Sequence, residues 1–213
     1  MTSAVAIANL ALTKVGGKRV VLPTENTAAN NAVNAVFDFV RRAELESNTW
    51  RFASKRAELS AETTAPAFGF GLSYILPADC LRVTEIGGAG SIWYPDPLGI
   101  EAEQVMPYEI EGRRILTNIT APLQIKYVFD ETVVANWSAN FSMMVGTRIA
   151  SQVSFDLSDT AALGDRLERE YYSCLTRAVL SNEIQQPANR RPASTWAAAR
   201  SSVTFIPLAN AAS

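Results

Sequence analysis

The apolar spacing of this chain changes period twice, from helical to alternating and back to helical. That order confines it to folds in which terminal helices flank an inserted sheet. Residues 3–14 place Ala4, Ile7, Leu10 and Ala11 at helical spacing, with Ser3 as an N-cap and Gly16-Gly17 as a stop. Residues 27–48 continue the pattern with Ala29, Val33, Val36, Phe37, Val40 and Leu45 on one stripe, and Thr27 as its cap. Arg41-Arg42 suit its C-terminal half, where cations complement the helix dipole. From Trp50 the period falls to two: Trp50, Phe52, Ser54, Arg56 and Glu58 alternate with their neighbours, as in an extended ribbon. Short β-branched or aromatic runs bounded by Pro, Gly and Asn follow to about residue 130, and YEIEGRRIL reads as a hairpin around Glu111-Gly112.

Helical spacing returns over 137–158, with Phe141, Met144, Val145, Ile149 and Val153 on the buried side. It continues over 160–184 with Leu163, Leu167, Tyr171, Cys174, Leu175 and Ala178. The expected architecture is α+β: a bundle of N- and C-terminal helices, a small antiparallel sheet inserted at about 50–130, and an extended C-terminal arm. One domain over 1–186 and an arm over 187–213 fit a chain of 213 residues.

Composition narrows the chemistry. The chain has no His, which removes Ser-His-Asp triads, Cys-His dyads and HExxH zinc sites together. Its two cysteines, Cys80 and Cys174, have no CxxC partner and read as buried thiols. No apolar run approaches the roughly 20 residues of a membrane span, and the residues after Met1 lack the basic start of a signal peptide. A cytoplasmic site of synthesis and no membrane partner are therefore expected. The net charge of −2 leaves no long basic run for sequence-specific DNA binding.

The remaining candidates carry little chemistry. Phe68-Gly69-Phe70-Gly71 lacks the GK[ST] of a phosphate loop and reads as a turn. Glu101, Glu103, Glu109 and Glu111 form an acidic group that a glycosidase pair or metal site would need to bury; solvated surface explains it more simply. Asp156, Asp159 and Asp165 fall between the last two helices, where capping accounts for them. Trp50, Trp93 and Trp137 stand at element boundaries as core anchors. In the arm, Arg190, Arg191 and Arg200 interleave with Trp196, and Phe205-Ile206 follow. Such a segment docks on protein, stays unfolded or contacts nucleic acid. No cofactor is expected, and no enzyme motif emerges.

Three stretches carry a family resemblance: IANLALTKVGGKRV, RRAELESNTWRFASKRAELS and FGFGLSYILPADCLRV. Their Leu-Glu-x-x-x-Trp-x-Phe-Ala and Tyr-x-Leu-Pro-x-Asp-Cys-Leu-Arg turns resemble the tail tubular protein A family, the head-to-tail adaptors of tailed bacteriophages. The resemblance covers about the first 90 residues; beyond them only the order of elements matches. It implies a virion protein without a catalytic centre, assembled as a ring, typically dodecameric, beneath the portal protein. Such a ring joins the filled head to a tail nozzle or tube and conducts DNA. Another phage connector or tail-completion protein is the nearest alternative, and a small nucleic-acid-binding module a more distant one.

On that reading the connector is a rigid joint between bundle and sheet, in which Gly69, Gly71 and Pro77 shape the turns and Trp50, Phe52 and Tyr74 lock the crossing. Arg190, Arg191, Trp196, Arg200 and Phe205 would dock on the portal or a neighbouring subunit. Glu101, Glu103, Glu109 and Glu111 would face the tail or the channel.

Overall fold

A computed structural model describes residues 3–22, 24–88, 91–93, 108–157 and 161–185. Among them α1 (Ala4–Lys14), α2 (Ala28–Ser47), α3 (Ala139–Leu157) and α4 (Ala161–Ile184) form the helical layer. Among the described residues seven strands lie between α2 and α3: β1 (Ser54–Leu59), β2 (Leu72–Ile75), β3 (Cys80–Gly88), β4 (Ser91–Trp93), β5 (Tyr108–Glu111), β6 (Arg114–Thr117) and β7 (Leu123–Phe129). The fold is α+β.

The expected caps start the first two helices. Ser3 Oγ accepts from the Ala6 amide at 3.1 Å, and Thr27 Oγ1 from the Asn30 amide at 3.2 Å. Gly16, at φ 77°, turns the chain out of α1, and the Gly17 amide closes on Leu12 O at 2.8 Å. The third helix begins later than its periodicity suggests, because Val134–Asn136 form a 3₁₀ turn and Ser138 Oγ caps the Phe141 amide at 3.2 Å. Asp156 lies inside α3 and Asp165 inside α4, so neither is the loop cap that sequence suggests; Asp159 lies outside the described residues.

α3 departs from the single-stripe expectation. Phe141, Met144, Val145, Ile149 and Val153 are buried as expected, but so are Ser142, Gly146, Thr147, Ala150, Ser151 and Ser154 on its other sides. The helix is central, packed against α1, α2 and α4 at once. Its small residues make this possible. A Cβ on Gly146 would lie 2.8 Å from Leu10 Cδ2, so glycine lets α1 approach.

The expected single sheet is in fact two. β1-β7-β3-β4 form one antiparallel sheet and β2-β6-β5 another. Their facing sides enclose a second core of Tyr74, Ile86, Ile115, Leu123, Ile125 and Tyr127. Alternation along β7 gives the larger sheet two loyalties: Leu123, Ile125 and Tyr127 face the other sheet, while Val128 belongs to the helical core. The layers therefore run helices, four-stranded sheet, three-stranded sheet. Two local expectations also shift by a few residues. Arg51–Ala53 form a 3₁₀ turn before the ribbon begins at Ser54, and the hairpin turn is Gly112-Arg113, because Glu111 pairs with Arg114. Gly112 has φ 58°, which glycine adopts without a Cβ penalty.

Candidate functional site

The connector is built around aromatic rings on the bundle side. Trp50, Phe52 and Trp137 each meet Phe141 edge-on, with centroids 4.9, 4.9 and 5.1 Å away, and Phe37 stacks on Trp137 at 6.3 Å. Both indoles are satisfied: Trp50 Nε1 donates to Glu44 O at 2.7 Å and Trp137 Nε1 to Glu131 O at 3.2 Å. Tyr74 is not part of this joint. It is fully buried between the sheets, where its hydroxyl donates to Ile119 O at 2.6 Å.

What ties the sheets to the region beside Trp50 is the turn before β3. Asp79 accepts from Lys55 Nζ at 2.8 Å and from the Tyr127 hydroxyl at 3.1 Å, and its carbonyl accepts from the Asp130 amide at 2.9 Å. Arg82 donates to Thr49 Oγ1 at 2.8 Å, beside Trp50. The Lys55 hydrogen bond is the main cause that holds the Asp79 carboxyl below its ordinary range. Lys55 also lies over the Phe129 ring, 3.7 Å from its centroid. Pro77 shapes this turn: its carbonyl accepts from the Cys80 amide at 2.9 Å and from the Arg113 guanidinium. Gly69, at φ 85°, and Gly71, whose amide donates to Asn118 Oδ1 at 2.8 Å, bend the preceding loop.

Among the described residues three charged side chains are buried, Arg41, Glu44 and Glu131; the sequence offers Arg41 only as a cation suited to the C-terminal half of its helix, not as a buried partner. Arg41, 5% exposed, pairs with Asp130, which also receives Arg42 Nε at 3.1 Å. Glu44, also 5% exposed, accepts from the Tyr171 hydroxyl at 2.9 and 3.1 Å. Burial raises the Glu44 carboxyl above its ordinary range, against the lowering pull of Tyr171 and Arg148. Glu131 accepts from the Val133 amide at 2.8 Å and from Asn136 Nδ2 at 2.9 Å. An acidic or basic residue within a helical stripe was the available signal, as at Arg41 and Glu44, but their partners lie far along the chain.

The remaining candidates are surface features. Glu109 and Glu111 are exposed on β5, an edge strand. Glu101, Glu103, Arg190, Arg191, Trp196, Arg200 and Phe205 lie outside the described residues. Cys80 and Cys174 are free and buried, and burial pushes the Cys80 thiol up to about 11. A depression of about 280 Å³ on the larger sheet is lined by Arg56, Glu58, Glu85, Gly87, Gln124 and Lys126. Its acids are engaged: Lys126 Nζ reaches Glu85 at 2.5 Å and Gln124 Nε2 reaches Glu58 at 3.0 Å. Among the described residues no three His, Cys, Asp or Glu side chains gather as a metal site.

Large apolar groups, by contrast, stand in solvent. Phe39 on α2, Phe155 on α3, and Tyr172, Leu180 and Ile184 on α4 are exposed, as is Phe68 in the loop before β2 at 88%. No protein-family model and no curated protein matches this chain.

Proposed function

We propose that this chain is a structural head-to-tail adaptor of a tailed bacteriophage, without catalytic activity. Copies of it form a ring, typically of twelve, beneath the portal protein, receive a tail nozzle or tube on the other side, and let DNA pass without reading its sequence. The observation that carries the reading is the meeting of the two turns on which the family resemblance rests. Twenty residues separate them, yet Thr49 within the first turn accepts from Arg82 of the second, and Lys55, two residues past the first, donates to Asp79. Leu45, Trp50 and Ala53 of the first turn are buried in the bundle, so these residues serve as a joint. The exposed Phe39 of α2 and Phe155 of α3 further support assembly with other chains.

Mass and symmetry test this directly. Purified protein, alone and mixed with the portal protein of the same phage, should give closed rings in electron micrographs, at least on the portal. Monomers in both samples, with no density added to the portal, would overturn the proposal.

A further inference from the structure

α4 carries one outward ridge that nothing among the described residues covers. Tyr172, Thr176, Leu180 and Ile184 follow one another at four-residue intervals, which places them on one side of the helix over about 18 Å. Tyr172 is 56%, Leu180 58% and Ile184 83% exposed. A run of large apolar groups at helical spacing normally marks a buried face. Glu183, beside the last two, is exposed and has no ion-pair partner among the described residues. The last turn of α4 holds no basic residue to complement its carbonyl end.

The chain that leaves this ridge has the matching chemistry. All twenty-one acids of the protein and sixteen of its nineteen bases fall in residues 1–185, leaving that part at −5. Residues 186–213 hold the other three bases, Arg190, Arg191 and Arg200, and no acid, hence +3. They also hold Trp196, Val203, Phe205, Ile206 and Leu208. Trp196 stands twelve residues beyond Ile184, a tether of up to about 40 Å, enough to turn and run back along the ridge. Arg190 and Arg191 follow the helix end closely enough to meet Glu183 and the terminal carbonyls.

We propose that residues 187–213 fold back on the exposed α4 ridge of their own chain, seating Trp196 and the Phe205-Ile206 pair against Tyr172, Leu180 and Ile184. The same chain is favoured over a second copy because the tether begins beside the ridge. A short tether gives an effective concentration on the order of millimolar, above that of free protein in dilute solution. The arm is then stored on the subunit before it meets any other partner. The inference does not depend on the adaptor reading, and its test involves neither a ring nor a portal.

Trypsin cleavage after Arg190 and Arg200 in the full chain provides the measurement, with a synthetic peptide of residues 187–213 as the uncovered reference. Wild type should be cut more slowly than the peptide, equally so at low and high protein concentration. Leu180→Asp with Ile184→Asp should raise the rate at least about tenfold, the factor that losing one buried aliphatic contact implies. Both residues are already exposed, so an unchanged far-UV circular dichroism spectrum is expected. Trp196→Ala, twelve positions past the last residue of α4 in the sequence, should speed cleavage after Arg200 in the same direction. Wild-type cleavage at the peptide rate would overturn the proposal, as would protection that survives both variants. Protection that grows with protein concentration would assign the arm to another copy and overturn it equally.

Discussion

The bundle and the paired sheets differ in the polar groups they bury. The bundle takes Arg41 and Glu44 inside and leaves Phe39, Phe155, Tyr172, Leu180 and Ile184 outside. Among the described strand residues the buried polar side chains are the neutral Ser73 and Thr117, while Arg56, Glu58, Glu109, Glu111 and Arg114 face solvent and Ile75 and Ile110 are the large apolar groups left exposed. A buried charge is tolerated only when partnered, so the bundle depends on specific long-range pairs where the sheets depend on alternation.

The largest effect expected within this contrast is at Phe141, the ring shared by three aromatic neighbours. Phe141→Ala should cost about 3–5 kcal/mol, read from denaturant unfolding, because the central α3 leaves little room for collapse. A loss below 1 kcal/mol would mean that the bundle core is not organised around this ring.

Gly146→Val should cost about 1–3 kcal/mol by overpacking against Leu10. Shortening the obstacle with Leu10→Ala in the same chain should recover part of that loss. Additive losses would show that the two helices do not meet as closely as described.

Tyr171→Phe should cost a similar or smaller amount, about 1–3 kcal/mol, by leaving the Glu44 carboxylate buried without its donor. Acid then separates the regions by sign. The Glu44 carboxyl is raised in the fold, so its burial weakens the protein above the folded value, and this weakening is relieved as pH falls toward the ordinary 4.5. The Asp79 carboxyl is lowered, so its contribution is present above the ordinary 3.8 and is lost as pH falls through the folded value. Glu44→Gln should therefore flatten the decline in stability above pH 4.5, and Asp79→Asn the decline below 3.8, both read from thermal unfolding against pH. Identical profiles for the two variants would remove the distinction between the regions.

The smallest change is expected at the edge of the second sheet. Glu109→Gln with Glu111→Gln should alter stability by less than about 1 kcal/mol, since both are exposed. If these acids serve the tail-facing surface, the loss should instead register as failed tail attachment on normally assembled connectors.

Much of the helical half was legible because its signals are local. Ser3 and Thr27 cap their own helices within three residues, and the stripe from Phe141 to Val153 needs only the helical period to be recognised. Trp50 and Phe52 could be read as anchors from size and position. Their common target, Phe141, lies about ninety residues away, and no local pattern names it. Asp79 sits inside the Tyr-x-Leu-Pro-x-Asp-Cys-Leu-Arg turn, yet its attachment to Lys55 and Tyr127 depends on strands brought together by the fold.

Residue order alone determined the succession of helix, strand and helix, the hairpin near Gly112 and the absence of histidine chemistry, because period, turn residues and composition act over a few neighbours. Tertiary structure decided that the strands divide into two sheets, that Tyr74 joins the second core and not the aromatic joint, that Arg41 finds Asp130, and that Gly146 admits α1. Each of these outcomes requires two surfaces distant in the chain to meet. Alternation tells a strand which side to bury, but only the partner that arrives determines what it is buried against.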